Sequence, residues 1–439
     1  MSYKLFADSI QTLSDLESFC KVYKYENESK SIYSYDKNKM DITHPSQYLY
    51  RSIVVHNGQI VSFSSPKMIH PVNFSQKYND EDWNEFDVSP YIEGTMINLY
   101  YDNVSNKWEM ATKRMLGGMN RSNNDAPTFR DMFNDICDNY CKVDIQELLN
   151  NIQEQVLKVN KLHNKDRRLC FSFVMGHPLN NMITTILSHE LVLTNIFSIG
   201  NENNSQVVSI YDLDMNQIFD ENYYHNTFKN ISKNNHIYPL ISNLCNIKVS
   251  NFPEYKNFKG TFLDLVSQNL TRFNVSRHEM TGYVFKNKKT NERTKMFTNS
   301  YRYYKMIKGN YLRHIDRFIE YSREPATYDE KRYITKLDEF LSSFPEYYNI
   351  YNYYYQSLCS ISNNLLKLYK QVNIHHTLTL NECDIFKQHL YKLHGIYLNE
   401  IKYNKNRPNY LVLNDVYYYV INLPINNVVY LLRQHGVNV

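Results

Sequence analysis

The segment Tyr91-Ile92-Glu93-Gly94-Thr95 combines a phenol, a carboxylate and a glycine within five residues. Side chains alternate between the two faces of a strand, so Tyr91, Glu93 and Thr95 are predicted to share one face. A carboxylate can accept hydrogen bonds from ligand hydroxyl groups, and a glycine allows close approach of the backbone. Tyr91 is a poor nucleophile unless it is activated, because the pKa of a free phenol is about 10. The segment therefore predicts binding rather than covalent chemistry.

Five short segments occur in an order that resembles the motifs of covalent nucleotidyltransferases, in particular the RNA ligases of the bacteriophage T4 ligase 1 type. They lie at residues 91–95, 108–113, 171–174, 281–284 and 295–297. A further segment, 51–67, opens with an arginine, closes with Pro-Lys, and resembles the hairpin that precedes these motifs. The similarity covers roughly residues 48–310, with a weaker match to the helical tail beyond. It is closest to the ligase-like proteins of large DNA viruses that infect protists, through the segments 93–98, 171–178 and 386–394.

The resemblance implies a nucleotide or RNA site. Four cations at matching positions would face phosphate groups: Arg51, Lys67, Lys113 and Lys295. Glu93 would accept hydrogen bonds from the ribose hydroxyls, and the ring of Phe171 or Phe173 would stack on the base, as aromatic side chains do in nucleic-acid sites. The alternatives are an exposed basic pair on the hairpin for Arg51 and Lys67, and the ordinary core of a central strand for Phe171 and Phe173.

The chain departs from the ligase pattern at five functional positions, which are Tyr91, Ser172, Asn181, Thr281 and Phe297. Tyr91 stands where the family has the lysine that takes up AMP, and Phe297 stands where it has the second lysine of a Lys-x-Lys motif. Thr281 stands where a glutamate helps to place the catalytic magnesium, and a threonine has no charge to offer a divalent ion. The glycines and hydrophobic residues beside these positions are kept. Loss confined to the chemistry is the pattern expected of a pseudoenzyme.

Three functions remain open. The first is a catalytically degenerate protein of RNA ligase type that binds a nucleotide or the triphosphate or cap of an RNA 5′ end. The second is an active ATP-dependent RNA ligase or nucleotidyltransferase with an unusual nucleophile, which would need ATP and Mg²⁺. The third is a viral scaffold protein that binds a viral or host protein through residues 310–439. Covalent labelling by a nucleotide separates the second from the other two.

The composition limits how such a partner can be held. A chain of 439 residues with 42 % hydrophobic residues can form two or three packed domains. A net charge of +4 is too small for the chain as a whole to attract nucleic acid strongly, so a basic binding surface must be local. The sequence has no apolar run of 18 residues and no hydrophobic leader, which predicts a soluble protein with no membrane partner. The resemblance implies the host cytoplasm, including a viral factory, or the virion.

No metal site is predicted. The seven cysteines have irregular spacing without a C-x-x-C pair, which argues against a disulfide framework or a zinc site. Cys137 and Cys141 are expected to be buried thiols in a reducing compartment. The pairs His375/His376 and His389/His394 are one and five residues apart, and these spacings do not place imidazoles on one helical face. They are expected to be structural or surface histidines.

The predicted fold class is α+β, with a nucleotidyltransferase core of antiparallel sheets and flanking helices followed by an α-helical domain. Asn57-Gly58 between two β-rich runs predicts a hairpin. Further strands are expected at 91–101, 107–113, 168–175, 182–197, 205–211 and 282–297. Helical spacing of apolar residues recurs at 128–140, 143–159 and 350–368. The domain limits are 1–48 for an N-terminal helix (9–23) and connector, 49–309 for the nucleotidyltransferase-like domain, and 310–439 for the helical domain.

Overall fold

The computed structural model describes most of the chain. The described residues are 2–4, 12–25, 29–41, 43–102, 104–122, 126–141, 149–150, 168–180, 182–184, 186, 189–202, 205–211, 261, 281–309, 313–324, 327–329, 332–402 and 410–437. The chain divides into two compact units, Met1–Lys305 and Met306–Val439. The predicted helix at 143–159 and the departure at Asn181 lie outside the described residues, apart from residues 149 and 150.

The first unit is built mainly from strands. Its strands are β1 (Ser2–Lys4), β2 (Cys20–Tyr25), β3 (Lys30–Tyr35), β4 (Ile53–His56), β5 (Gln59–Phe63), β6 (Phe86–Pro90), β7 (Thr95–Asp102), β8 (Lys107–Ala111), β9 (Arg168–Gly176), β10 (Glu190–Glu202), β11 (Ser205–Tyr211), β12 (Gly282–Asn287) and β13 (Arg293–Phe297). Its helices are α1 (Leu13–Glu17), α2 (Pro71–Tyr78), α3 (Phe129–Ile136) and α4 (Asn299–Lys308), the last of which crosses the boundary between the units.

These strands form three antiparallel sheets. The largest has six strands in the order β1-β11-β10-β9-β7-β8, the second has four in the order β2-β3-β4-β5, and the third has three in the order β13-β12-β6. The prediction of a mixed α+β fold with antiparallel sheets is therefore confirmed. The finer prediction of a nucleotidyltransferase core is taken up as part of the proposed function.

Local turn chemistry explains the element that the sequence predicted most accurately. Asn57 and Gly58 both have positive φ, 47° and 76°, which is the backbone that a two-residue hairpin turn requires. They join β4 to β5, as expected. The strand predicted from residue 91 begins only at Thr95, because residues 91–94 pass from the three-stranded sheet to the six-stranded sheet. The alternation expected for Tyr91, Glu93 and Thr95 therefore does not apply there.

The prediction of one helix over residues 9–23 and a connector after it is wrong. Thr12 and Asp15 form a capping box that begins α1, but the helix ends at Glu17. Residues 20–25 instead pair as β2 with β3, which in turn pairs with β4. The pairing partner explains the error, because a strand next to a β-rich hairpin gains ladder hydrogen bonds that local periodicity does not reveal.

The main core lies between the four-stranded and six-stranded sheets. Ile53 and Phe63 of the smaller sheet and Cys170 and Phe197 of the larger sheet are fully buried and belong to one cluster. The rings of Phe63 and Phe197 meet edge to face at 5.0 Å. Burial of side chains of this size stabilises the fold by about 1.5–3 kcal/mol each. Because Cys170 faces this core, alternation along β9 directs Phe171 to the opposite face of the sheet.

A buried ion network joins the same two sheets at one end. Lys30 of β3 lies 2.7 Å from Glu109 and 3.3 Å from Asp102, and His56 of β4 lies 2.6 Å from Asp102. Burial alone would raise the pKa of Asp102, but the hydrogen bond with His56 helps to hold it below its usual value. Burial would likewise lower the pKa of Lys30, whereas Glu109 and Asp102 raise it. The network therefore keeps Lys30 and Asp102 charged inside the protein.

The second unit is mainly helical. Its elements are α5 (His314–Arg323), β14 (Thr327–Asp329), β15 (Arg332–Ile334), α6 (Lys336–Ser343), α7 (Tyr348–Asn373), α8 (Lys387–Ile396), α9 (Leu413–Ile421) and α10 (Ile425–Gln434). The helix predicted over 350–368 is confirmed within α7, whose buried face includes Leu358, Ile361 and Leu365. The hairpin of β14 and β15 is an addition, since no strand was expected after residue 309.

Histidines of this unit make structural contacts. His389 Nδ1 lies 2.8 Å from the hydroxyl of Tyr419, and His394 Nδ1 lies 3.2 Å from that of Tyr369. These contacts agree with the structural role expected of this pair. No helix among the described residues is both long and apolar enough to cross a bilayer.

Candidate functional site

The segment 91–94 connects two sheets and is fixed at both ends. Tyr91 N–H donates a hydrogen bond to the carbonyl of Gly282 at 2.8 Å, and the hydroxyl of Thr281 donates to the carbonyl of Tyr91. Gly94 is packed so closely that an added Cβ would lie 2.5 Å from the carbonyl oxygen of Met175. The glycine predicted to allow close backbone approach does so here. Tyr91 and Glu93 are therefore held in place by backbone contacts on either side.

The Glu93 carboxylate accepts four hydrogen bonds from the protein. Oε1 accepts from the hydroxyl of Tyr301 at 2.8 Å and from the N–H of Ile183 at 3.2 Å. Oε2 accepts from the N–H and the hydroxyl of Thr184, at 2.8 and 2.7 Å. Burial and the Glu93 charge raise the pKa of Tyr301, so its hydroxyl remains a donor. A carboxylate has about four acceptor sites, and the protein itself occupies that number here.

Tyr91 packs against a second departure from the ligase pattern. Its ring meets Phe297 edge to face at 5.0 Å, with an angle of 89° between the planes. Burial and the Glu93 carboxylate raise the pKa of the Tyr91 phenol, against a smaller lowering by Arg51. The phenol therefore stays protonated at neutral pH and lacks the activation that a nucleophile needs. Two of the five departures from the ligase pattern therefore contact each other.

Lys295 lies on these two rings. Its ammonium is 5.0 Å from the ring centre of Tyr91 and 5.2 Å from that of Phe297, within the range of cation–π attraction. Burial lowers the pKa of Lys295 to about 8, with further lowering by the charges of Lys305 and Arg51. The Glu93 carboxylate opposes this shift but does not outweigh it. Positive charge therefore dominates the surroundings of this amine.

Lys113 is in the same electrostatic environment. Its ammonium lies 4.4 Å from the ring centre of Tyr35 and donates a hydrogen bond to the Tyr35 hydroxyl at 3.4 Å. Burial lowers the pKa of Lys113 to about 8, helped by the charges of Arg51 and Arg114. Lys295 adds to the same lowering. The structure therefore brings Arg51, Lys113 and Lys295 close enough to repel one another.

Lys67 and Lys305 extend the group on either side. Lys67 lies 4.6 Å from the ring centre of Tyr48, and burial together with Lys37 lowers its pKa. Lys305 lies 4.9 Å from the ring centre of Phe297. We call the whole set the basic cluster, and it consists of Lys37, Arg51, Lys67, Lys113, Arg114, Lys295 and Lys305. Within the part of the chain that the structure describes, none of these cations forms an ion pair with a carboxylate.

The two residues predicted to stack on a base are buried. Phe171 is 0 % and Phe173 is 3 % exposed, and both belong to the same buried face of β9. Phe171 packs against Trp108, with ring centres 5.7 Å apart. The alternative that they are ordinary core residues of a central strand describes this placement. Neither ring presents a face on which a base could stack.

A cluster of one aspartate and two histidines was not predicted from the sequence. Asp135 of α3 accepts from His177 at 3.0 Å and from His189 at 3.2 Å, both through one carboxylate oxygen. The ligand atoms of the three residues all lie within 4.8 Å of one another. Asp135 and His177 are separated by 42 positions, and no spacing rule connects them. Only the dipeptide His177-Pro178, in a segment that resembles the viral ligase-like proteins, marked the position in advance.

The hydrogen bonds of this cluster favour a clamp over a metal centre. Nδ1 of His177 accepts the N–H of Leu179 at 3.1 Å, so the neutral ring carries its proton on Nε2. That Nε2 is the atom facing Asp135, and a protonated nitrogen has no lone pair for a metal ion. The hydrogen bond with His177 lowers the pKa of Asp135, which keeps the acceptor charged. The cluster therefore ties both ends of the β9–β10 connection to α3.

Neither a protein-family model nor a curated protein matches this chain. The resemblance to RNA ligases therefore rests on the motif residues themselves.

Proposed function

We propose that the protein is a catalytically degenerate relative of the RNA ligases whose basic cluster binds the phosphate groups of a nucleotide or of an RNA 5′ end. The single observation that carries the proposal is the basic cluster itself. The cluster contains seven cations, and no described carboxylate forms an ion pair with any of them. Four of the seven rest on aromatic rings instead. The proposal includes a nucleotidyltransferase-type core for the first unit.

Electrostatics explain why the ligand should be anionic. Placing like charges together in a partly buried region disfavours their charged forms, which is why burial and neighbouring cations lower the pKa values of Lys113 and Lys295 to about 8. An anion in the cluster would reverse this repulsion. Phosphate groups suit such a site because they carry several charges and accept hydrogen bonds from both guanidinium and ammonium groups.

The replaced residues explain why transfer should be absent. Tyr91 is a protonated phenol packed on Phe297. The hydroxyl of Thr281 donates a hydrogen bond to the carbonyl of Tyr91. Ser172 is buried, and its hydroxyl lies 2.7 Å from the side-chain carbonyl of Asn98. These positions now serve the packing of the protein rather than a reaction. Charge stabilisation is the main task of the enzyme in phosphoryl transfer, and the metal carboxylate for it is missing.

The test measures binding and labelling together. The purified protein is titrated with 5′-triphosphorylated RNA, and the variants Lys113→Ala and Lys295→Ala are expected to bind about 10- to 100-fold more weakly, as for lost hydrogen bonds to charged groups. Lys289→Ala is the matched control, because Lys289 is exposed and pairs with Glu85 outside the cluster. The same protein incubated with labelled ATP and Mg²⁺ is expected to give no covalent band on a denaturing gel.

Two outcomes would contradict the proposal. A covalent band from the wild-type protein would support the active ligase instead. Equal losses of binding in Lys113→Ala, Lys295→Ala and Lys289→Ala would mean that no local site exists.

The variant Tyr91→Lys is also expected to remain unlabelled, because the effects of residues that act as a unit in catalysis are strongly non-additive.

A further inference from the structure

We infer that the basic cluster recognises a chain of phosphates irrespective of the nucleoside attached to it, so that inorganic triphosphate is as good a ligand as ATP. This inference rests on the proposed function and names its ligand class. It depends on a contrast within the first unit. The groups that would recognise a sugar or a base are engaged in contacts within the protein, whereas the groups that would bind phosphate have no anionic partner among the described residues.

The sugar-binding group is already saturated. All four hydrogen bonds of the Glu93 carboxylate come from Tyr301, Ile183 and Thr184. Two of these donors are backbone N–H groups, which cannot turn toward another acceptor. A ribose could bind Glu93 only by displacing these partly buried donors and leaving them unpaired, which is unfavourable. The carboxylate is therefore part of the scaffold of the site.

Base recognition has no free aromatic surface among the predicted residues. Phe171 and Phe173 are inside the protein. Tyr91 and Phe297, which do border the basic cluster, have Lys295 against both rings and Lys305 against Phe297. Stacking of a base needs an open ring face, and it is a main source of affinity where it occurs. Without stacking, the site has little means of distinguishing one base from another.

The groups that would bind phosphate are numerous, and several of them lie against aromatic rings. Lys113 lies against Tyr35, Lys295 against Tyr91 and Phe297, and Lys305 also against Phe297. The charge of Arg51 lowers the pKa of both Lys113 and Lys295, so all three cations would act on a ligand bound there. One orthophosphate can contact only part of such a set. A linear polyanion with three or more charges can engage more of these cations at once.

The test compares ligands on the full-length wild-type protein by isothermal titration. Inorganic triphosphate and ATP are expected to bind with dissociation constants within about threefold of each other. Pyrophosphate is expected to be weaker by about 10-fold or more, the effect of one lost set of charged hydrogen bonds, and AMP weaker still. Adenosine is expected not to bind. In Lys113→Ala and Lys295→Ala the affinities for triphosphate and ATP should fall by the same factor, whereas Lys289→Ala should leave both unchanged.

The possible failures are distinct. If ATP binds more than about 30-fold tighter than inorganic triphosphate, a nucleoside subsite exists and this inference is overturned, while the proposed function stands. If no phosphate compound and no triphosphorylated RNA bind, both are overturned. If Lys289→Ala weakens triphosphate binding as much as Lys295→Ala, the ligand is held by diffuse charge and the assignment to the basic cluster is wrong.

Discussion

At the scale of single residues, the most telling contact is that between Tyr91 and Phe297. Both stand at positions where the resemblance implies a lysine, and their rings now touch. Lys295 lies against this aromatic pair, and its ammonium loses a proton more readily than that of an exposed lysine. Restoring a lysine at either position would add another positive charge to a region that already repels its own. The two replacements are therefore compatible with each other and with the basic cluster.

Glu93 gives the first prediction. Glu93→Gln should lower the free energy of unfolding by about 1–3 kcal/mol, because an amide NH₂ would face one of the fixed N–H groups of Ile183 or Thr184. Its affinity for inorganic triphosphate should stay the same or rise, since a negative charge near Lys295 is removed. Chemical denaturation and titration of the same sample measure both. A selective loss of ATP affinity, with triphosphate unaffected, would show that Glu93 serves a ribose after all.

The amines of Lys113 and Lys295 give the second prediction. Affinity for inorganic triphosphate should fall as the pH rises from 7 to 9, because both amines lose their protons near pH 8. The surrounding charged groups that set this value are Lys37, Arg51, Arg114, Lys305 and Glu93. A double variant Lys113→Arg/Lys295→Arg keeps its charge throughout this range, so its pH dependence reports only the ligand. Parallel curves for the wild type and this variant would contradict the assignment.

The same pKa values act on stability with the opposite sign. The folded-state values of about 8 lie below the value of about 10.4 for an unfolded lysine, so the unfolded chain holds more protons between these limits. The contribution of Lys113 and Lys295 to the stability of the unliganded protein therefore increases as the pH rises through this window.

At the scale of elements, the ion network between the four-stranded and six-stranded sheets gives the third prediction. Asp102→Ala should lower the free energy of unfolding by about 3–5 kcal/mol, because Lys30 would lose a partner while remaining buried. Urea denaturation measures this value. Glu85→Ala, which removes an exposed partner of Lys289, is the control and should cost about 1 kcal/mol or less. Comparable losses in the two variants would mean that the network does not hold the sheets together.

The network also has a defined pH dependence. The pKa of Asp102 is lower in the folded protein than in the unfolded chain. Its contribution is therefore complete above the unfolded value of about 4 and is lost as the pH falls through the lower folded value. The wild type should lose this part of its stability in acid, whereas Asp102→Ala has none of it to lose.

The limits of prediction from the sequence are also visible at this scale. The hairpin at Asn57-Gly58 could be predicted because the turn is decided by two residues. Strand β2 could not, because its conformation depends on β3, which pairs with it. Motif order located Arg51, Lys67, Lys113 and Lys295, but Lys37 and Lys305 join the basic cluster only through the tertiary fold. The burial of Phe171 and the saturation of Glu93 likewise depend on neighbours far away in the sequence.

At the scale of the whole molecule, a local cluster in a nearly neutral chain gives the fourth prediction. The net charge is only +4, so binding of single-stranded RNA should neutralise a limited number of phosphates, about three to five. The logarithm of the association constant should then fall against the logarithm of salt concentration with a slope of about −2 to −3.5. Titrations at several salt concentrations measure the slope. A much steeper slope would point to an extended surface rather than the basic cluster.

The lowered pKa values of Lys113 and Lys295 have a consequence for chemical labelling. At pH 7.4 an amine with a pKa of about 8 is neutral for about one-fifth of the time, against about one-thousandth for an ordinary exposed lysine. Acylating reagents attack only the neutral form. Lys113 and Lys295 are therefore expected to be acylated faster than exposed lysines wherever the reagent can reach them. Mass spectrometry of lightly acylated protein can detect this, and a bound anion is expected to protect both amines by favouring their protonated forms.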